Sequence, residues 1–173
     1  MSGEERGTIE DYLMFTLDDM SEKLEKLREA LPLLDRIDME KVRQGDVEAA
    51  SFFLGRFFVV FQPVESLAHR MSNYWHWTTK QKISGELREQ VKLLGTRLGF
   101  DEAQIALLDK LARVRNKVAH AYWNMKEEEL TDDDIKAARH VLEELTRRVD
   151  AFVVSERKKL IDHIRRTDGC SRT

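Results

Sequence analysis

Apolar residues recur along most of this chain at three- and four-residue steps, and no segment reads as a strand. From about Ile9 to Leu34 the stripe is Ile9, Leu13, Leu17, Met20, Leu24, Leu27 and Leu31. Lys23, Lys26 and Arg28 alternate there with Glu22, Glu25 and Glu29 on the solvated faces. Arg43-Gln44-Gly45-Asp46 breaks the pattern. The segment from Asp46 to roughly Trp77 differs in kind, because Phe52, Phe53, Leu54, Phe57, Phe58, Val59, Val60, Phe61, Val64, Leu67 and Met71 cover more than one stripe. A helix apolar nearly all round is buried on several sides, so this one is expected to be central and to meet another subunit, with a kink at Pro63. Tyr74, Trp75 and Trp77 at its end read first as an aromatic plug on the core and second as a base-stacking platform.

A shorter helix is expected from about Ser84 to Leu98, on the stripe Leu87, Val91, Leu94 and Leu98, with Gly99 stopping it. A fourth starts near Asp101 and runs through Arg115 to His120. Thr131-Asp132-Asp133-Asp134 is a strong start signal for a fifth, continuing to about Ile164, after which residues 165–173 are expected to be a disordered tail. The prediction is an all-α, antiparallel bundle of about five helices forming one domain over residues 1–164.

Composition agrees: 8 Gly and 2 Pro are too few for the many turns of an all-β domain. The polar start Met1-Ser2-Gly3-Glu4-Glu5-Arg6 does not look like a signal peptide, and no apolar run approaches a membrane span. The chain is therefore expected to be cytoplasmic, with no membrane partner. The single cysteine, Cys170, excludes an internal disulfide and a cysteine zinc framework. A net charge of −3 is unlike that of a protein coating nucleic acid non-specifically, so any action on RNA must use a local basic pocket or one built by two subunits.

Candidate chemistry concentrates in Arg115-Asn116-Lys117-Val118-Ala119-His120-Ala121-Tyr122. At about 100° per residue, Leu107, Leu108, Leu111, Val114 and Val118 form the core stripe of the fourth helix, while Lys110, Arg113 and Lys117 fall on the solvated side. Arg115 stands at the border of the stripe, where arginine is unusual unless its guanidinium is used. Asn116 and His120 share a face, and Tyr122 aligns with Arg115 two turns on. These groups suit metal-free RNA cleavage. Histidine moves protons near neutral pH, and arginine sets a permanent forked charge against phosphate oxygens. One histidine per chain is thin for both acid and base roles, which makes pairing of two copies attractive.

Arg115-Asn116-Lys117-Val118-Ala119-His120 resembles the R-x4-6-H signature of HEPN domains, and the extension Ala121-Tyr122 is similar to the R-x4-H-x-Y form of HepT-like toxins. The order of a long apolar second helix, a short third helix ending in Leu-Gly, the motif at the end of the fourth and a closing helix is also similar to that branch. The resemblance implies a metal-independent endoribonuclease toxin that needs no cofactor, working as a homodimer with the two motifs meeting across the interface. It implies Arg115 and His120 as catalytic, Asn116 as their support, and Tyr122 as the site adenylylated by a minimal nucleotidyltransferase antitoxin. Negative charge at Tyr122 would compete with RNA phosphate for Arg115.

Plainer readings stand beside this one. Arg115 can pair with a carboxylate such as Glu65, and His120 can simply cap a helix C-terminus. The domain can also be a non-catalytic HEPN partner that binds nucleotide or substrate for a nucleotidyltransferase, or a helical assembly module. Glu65 and His69 are four apart and can pair. His140 and Glu143 have the three-residue spacing of carboxylate-bridged metal bundles, but no second copy appears, so no metal site is expected. His76 lies in the aromatic cluster and His163 near the chain end. Arg157-Lys158-Lys159 and Arg165-Arg166 read as a solvated basic helix end before they read as an RNA contact.

Overall fold

A computed structural model describes residues 3–119 and 130–170, with side chains over 9–119 and 130–167. These residues form six α-helices and one 3-10 helix, with no strand among them. The elements are α1 (Gly3–Ala30), the 3-10 helix (Leu31–Arg36), α2 (Met39–Arg43), α3 (Val47–Thr79), α4 (Leu87–Arg97), α5 (Glu102–Ala119) and α6 (Asp132–Cys170). The helical class read from the sequence is the one observed.

The differences from the expected elements have local causes. The first helix ends at Ala30 because Pro32 has no N–H to give, and the chain tightens into a 3-10 turn through Arg36. The polar stretch after Asp38 holds α2, whose five residues are too few to display a period. The last helix runs past Ile164, so residues 165–170, expected in a disordered tail, continue α6. Helix α3 is continuous through Pro63, whose missing donor leaves the carbonyl of Val59, a residue on the exposed side where water can serve it.

Short connections are set by capping. Gly45, at φ +85°, donates to Val42 O (3.1 Å) and Asp46 N donates to Lys41 O (3.1 Å), which closes α2. The Asp46 side chain then accepts from Ala49 N at 2.9 Å and opens α3. Gly99, at φ +74°, ends α4 in the same way, with Phe100 N donating to Gly95 O at 3.0 Å. Asp101 and Gln104 cap α5 reciprocally, at 2.8 and 3.1 Å.

Helix α1 runs antiparallel to both α3 and α6. Against α3, Arg70 Nε donates to Asp19 Oδ2 at 2.6 Å, and Tyr12 packs on Trp77 with centroids 5.6 Å apart. Against α6, Arg28 meets Asp150 at 3.0 Å, Arg157 meets Asp18 at 2.6 Å and His163 meets Glu10 at 3.2 Å. Leu17, Met20, Leu24 and Leu27 of α1, Phe53, Phe61, Leu67 and Met71 of α3, and Leu145 and Val149 of α6 form the centre of the core. The aromatic cluster behaves as a plug: Tyr74 and Trp75 are buried edge-on against Phe152, while Trp77 is partly exposed. Tyr74 Oη donates to Glu156 Oε2 at 2.9 Å, and burial together with that carboxylate holds the phenol well above its ordinary range.

By length and composition α3 is in fact apolar enough to cross a membrane, contrary to the expectation from the sequence, although much of it is core of this bundle. Its uncovered side carries Phe52, Phe58 and Val59, exposed to 39, 36 and 51%.

The start of α6 is tied down by one carboxylate. Asp134 Oδ2 accepts from Thr131 N (2.8 Å), Thr131 Oγ1 (2.9 Å) and Lys110 Nζ of α5 (2.9 Å), and Asp134 N donates back to Thr131 Oγ1 at 3.1 Å. Burial pushes this carboxyl up, but the bonds from Lys110 and Thr131 outweigh it and hold it below its usual range. A carboxyl depressed in the folded state contributes stability at pH above its unfolded value, about 4, and loses that contribution as pH falls through the folded value. Asp134→Ala is therefore expected to lower unfolding free energy at neutral pH by about 1–2 kcal/mol. The gap from wild type, measured by urea denaturation, should narrow as pH drops below about 4.

Candidate functional site

The inward face of α5 is Leu108, Leu111, Ala112 and Val114, all buried, with Leu107 and Val118 partly so. That face fixes the helix rotation and leaves Arg115 at its edge, with a quarter of the side chain (25%) exposed. Across from it α3 presents Glu65. Arg115 Nη2 lies 2.8 Å from Glu65 Oε1 and 2.6 Å from Oε2, so a single nitrogen sits between the two oxygens. Arg115 Nε is buried without a hydrogen-bond partner.

An open groove of about 460 Å³ lies beside this pair. Gln62, Glu65, Ser66 and His69 of α3 form one wall, Gly85, Leu87 and Gln90 the other, and Arg115 borders it from α5. Gln90 is buried and is fixed by donating from Nε2 to Ser84 O at 3.0 Å. The His69 ring is exposed and does not bond Glu65. Its Nε2 lies 3.1 Å from Asn73 Nδ2.

Of the residues singled out from the sequence, Arg115 lines the groove, paired with Glu65 as the plainer reading anticipated. Asn116 is half-buried on the next position of α5 and does not line the groove. His120 and Tyr122 lie outside the described residues. Lys110, Arg113 and Lys117, placed on the solvated side from the sequence, are half-buried, and Asp134 of α6 takes the Lys110 charge.

The other histidines serve locally. His76 Nδ1 is 2.8 Å from Gln81 O at the end of α3, and exposed His140 lies 3.9 Å from Glu143. Among the described residues no three His, Cys, Asp or Glu side chains converge as metal ligands. In the basic run of α6, Arg157 is committed to Asp18.

Sequence reasoning missed the company Arg115 keeps. The Glu65/His69 spacing and an Arg115–Glu65 pair were each legible. Joining them would have placed His69 beside Arg115, but nothing in the sequence fixes which turn of α3 faces which turn of α5. The assembled site offers a permanent cation, an imidazole, a carboxylate and neutral polar groups at a solvent-open groove. That set can hold a phosphate-sized anion and move protons to or from it. No family model matches the chain, and neither a curated protein nor a solved structure matches it.

The ion pair is a third exposed on the Glu65 side (34%), so its contribution to stability is expected to be that of a surface pair. A double-mutant cycle with Glu65→Gln and Arg115→Ala, read by urea denaturation, should give a coupling of about 1 kcal/mol or less. A coupling near 3 kcal/mol or above would instead mark a buried structural brace.

Proposed function

We propose that this chain is a metal-independent endoribonuclease of the HEPN type, the toxin of a pair whose antitoxin is a minimal nucleotidyltransferase. Arg115 stabilises the charge on the scissile phosphate, His120 transfers a proton, Asn116 supports them, and Tyr122 is the residue the antitoxin adenylylates. The observation that carries this reading is the setting of Arg115. The arginine of the R-x4-H-x-Y motif borders a polar, solvent-open groove, where an RNA phosphate can exchange with Glu65 for the guanidinium. The catalytic unit is a homodimer in this proposal. Its support is the exposed apolar side of α3 at Phe52, Phe58 and Val59, a face of the kind that a second subunit covers. A cytoplasmic location and the absence of a membrane partner belong to the same proposal.

A second reading is favoured by the Arg115–Glu65 pair itself. If the guanidinium serves only to brace α5 against α3, the domain is a non-catalytic partner of a nucleotidyltransferase or a helical assembly module.

Cleavage of RNA in EDTA separates them, since chelation silences metal-dependent contaminants. Protein whose Tyr122 has been shown free of adenylate is expected to cleave. Arg115→Ala and His120→Ala should each lower the rate about 100-fold or more. Cleavage that survives both substitutions, or none by the wild type, moves the assignment to the non-catalytic partner. Adenylylation of Tyr122 is expected to suppress cleavage, and unchanged activity of the modified protein would remove that residue from the proposal.

A further inference from the structure

We propose that the end of α3 is a binding site for single-stranded RNA, where Trp77 stacks a nucleobase and Lys80, Lys82 and Arg97 hold the phosphates beside it. The inference deepens the ribonuclease reading by naming the form of the substrate, and it rests on that reading for the choice of RNA. A chain with 32 Asp and Glu and a net charge of −3 is best able to hold a polyanion where its acids are missing. From Ser66 to Gly85 there is no Asp or Glu, while Arg70, Lys80 and Lys82 fall in that stretch. Arg70 is taken by Asp19. Lys80, Lys82 and Arg97 are exposed, and among the described residues none of the three stands in an ion pair.

Trp77 stands apart from the aromatic plug. Tyr74 and Trp75 are buried against Phe152, whereas the Trp77 indole is 40% exposed. Tyr12 and His76 meet it at interplanar angles of 59° and 74°, with centroids 5.6 and 5.9 Å away, so both brace the ring and neither lies flat on it. An indole held in this way is a platform on which any base can stack. Lys80 closes α3 in the left-handed region, at φ +60°, with its N–H donating to His76 O at 2.9 Å. That turn carries its ammonium over the indole, 5.5 Å from the centroid. Gln81 joins the turn to α4: its backbone oxygen lies 2.8 Å from His76 Nδ1, and its side-chain oxygen accepts from Arg97 Nη2 at 2.9 Å. Arg97 is thereby held against the last turns of α3, over the Trp75 ring at 5.3 Å.

This chemistry selects a single strand. A nucleobase offers a flat ring to the indole and its phosphates offer charge to the cations, whereas an acidic peptide offers charge without the ring. In a duplex the bases are already paired and stacked on one another, so only the backbone reaches the site. His76 lies seven residues, two turns, beyond His69 on α3. The site therefore continues the uncovered line of the helix that walls the Arg115 groove with Gln62, Ser66 and His69. A strand stacked at Trp77 has an open path along α3 to that groove.

The test is binding of the full chain to labelled 2′-O-methyl RNA in EDTA, read by fluorescence anisotropy. These strands lack the 2′-hydroxyl nucleophile, so binding is measured without cleavage. The single strand is expected to bind more tightly than a duplex of the same sequence. Trp77→Ala should weaken it about 5-fold to 150-fold, and Trp77→Phe, which keeps a ring face, should retain most of the affinity. Lys80→Gln combined with Lys82→Gln, at two exposed positions, should make the plot of log affinity against log salt shallower by about 1.4. No binding by the wild type, equal binding of duplex and single strand, or displacement by polyglutamate as readily as by RNA would overturn the site. So would an affinity and a salt slope that these variants leave unchanged. Binding without cleavage of ordinary RNA would remove the ribonuclease reading and leave this site standing. Cleavage by a wild type whose binding does not depend on Trp77 would do the reverse.

Discussion

The apolar surface of α3 is wider than one neighbouring helix can cover, and the bundle is arranged around that excess. Phe53, Phe57, Val60, Phe61, Val64, Leu67 and Met71 are all buried on this one helix. At roughly 1.5–3 kcal/mol for each large side chain removed from water, they dominate any ion pair in the molecule. Helix α1 takes one side of α3, the α4–α5 pair takes another, and α2 with the 3-10 turn closes the N-terminal end. The cross-helix pairs Asp19–Arg70 and Glu65–Arg115 then fix rotations of faces that burial has already committed.

The groove follows from the same geometry. Along one line of α3 the residues change from Phe52 and Val59 to Gln62, Ser66 and His69, so the uncovered surface turns from apolar to polar where α4 and α5 approach. Arg115 reaches that surface because α5 needs only Leu108, Leu111, Ala112 and Val114 for its seat. Its charge is engaged by Glu65. Under the proposed function, a phosphate at this groove would compete with the Glu65 carboxylate for the guanidinium.

Much of the fold is legible in the sequence because helix faces announce themselves by period. The breadth of the α3 pattern identifies the central helix, and Gly99 and Thr131–Asp134 mark real boundaries. Pro32 and the α2 residues were harder, since a helix of one turn has no period to read. Helix α6 outlasts its apolar stripe because Arg165 and Arg166 are good helix formers that need no core contact. For the site, the sequence shows Arg115 at the edge of a stripe but leaves open which residue stands opposite. Periodicity gives the direction of a side chain and is silent on helix-to-helix registration, so the groove that Arg115 shares with α3 and α4 becomes visible only in three dimensions.

The antiparallel pairing of α1 with α6 joins segments far apart in the sequence: Arg28 and Asp150 meet across 122 positions. As the polypeptide emerges from the ribosome, the first helix can fold back on α3, but α6, which completes the core, is made only after the other five helices. At about 5–20 residues per second, Trp75 and the α1 stripe wait several seconds for Phe152 and Leu145 to appear. The nascent chain therefore carries an uncovered apolar seam until α6 has been made. A truncated product that lacks α6 would keep that seam for good, as a substrate for chaperones and proteases.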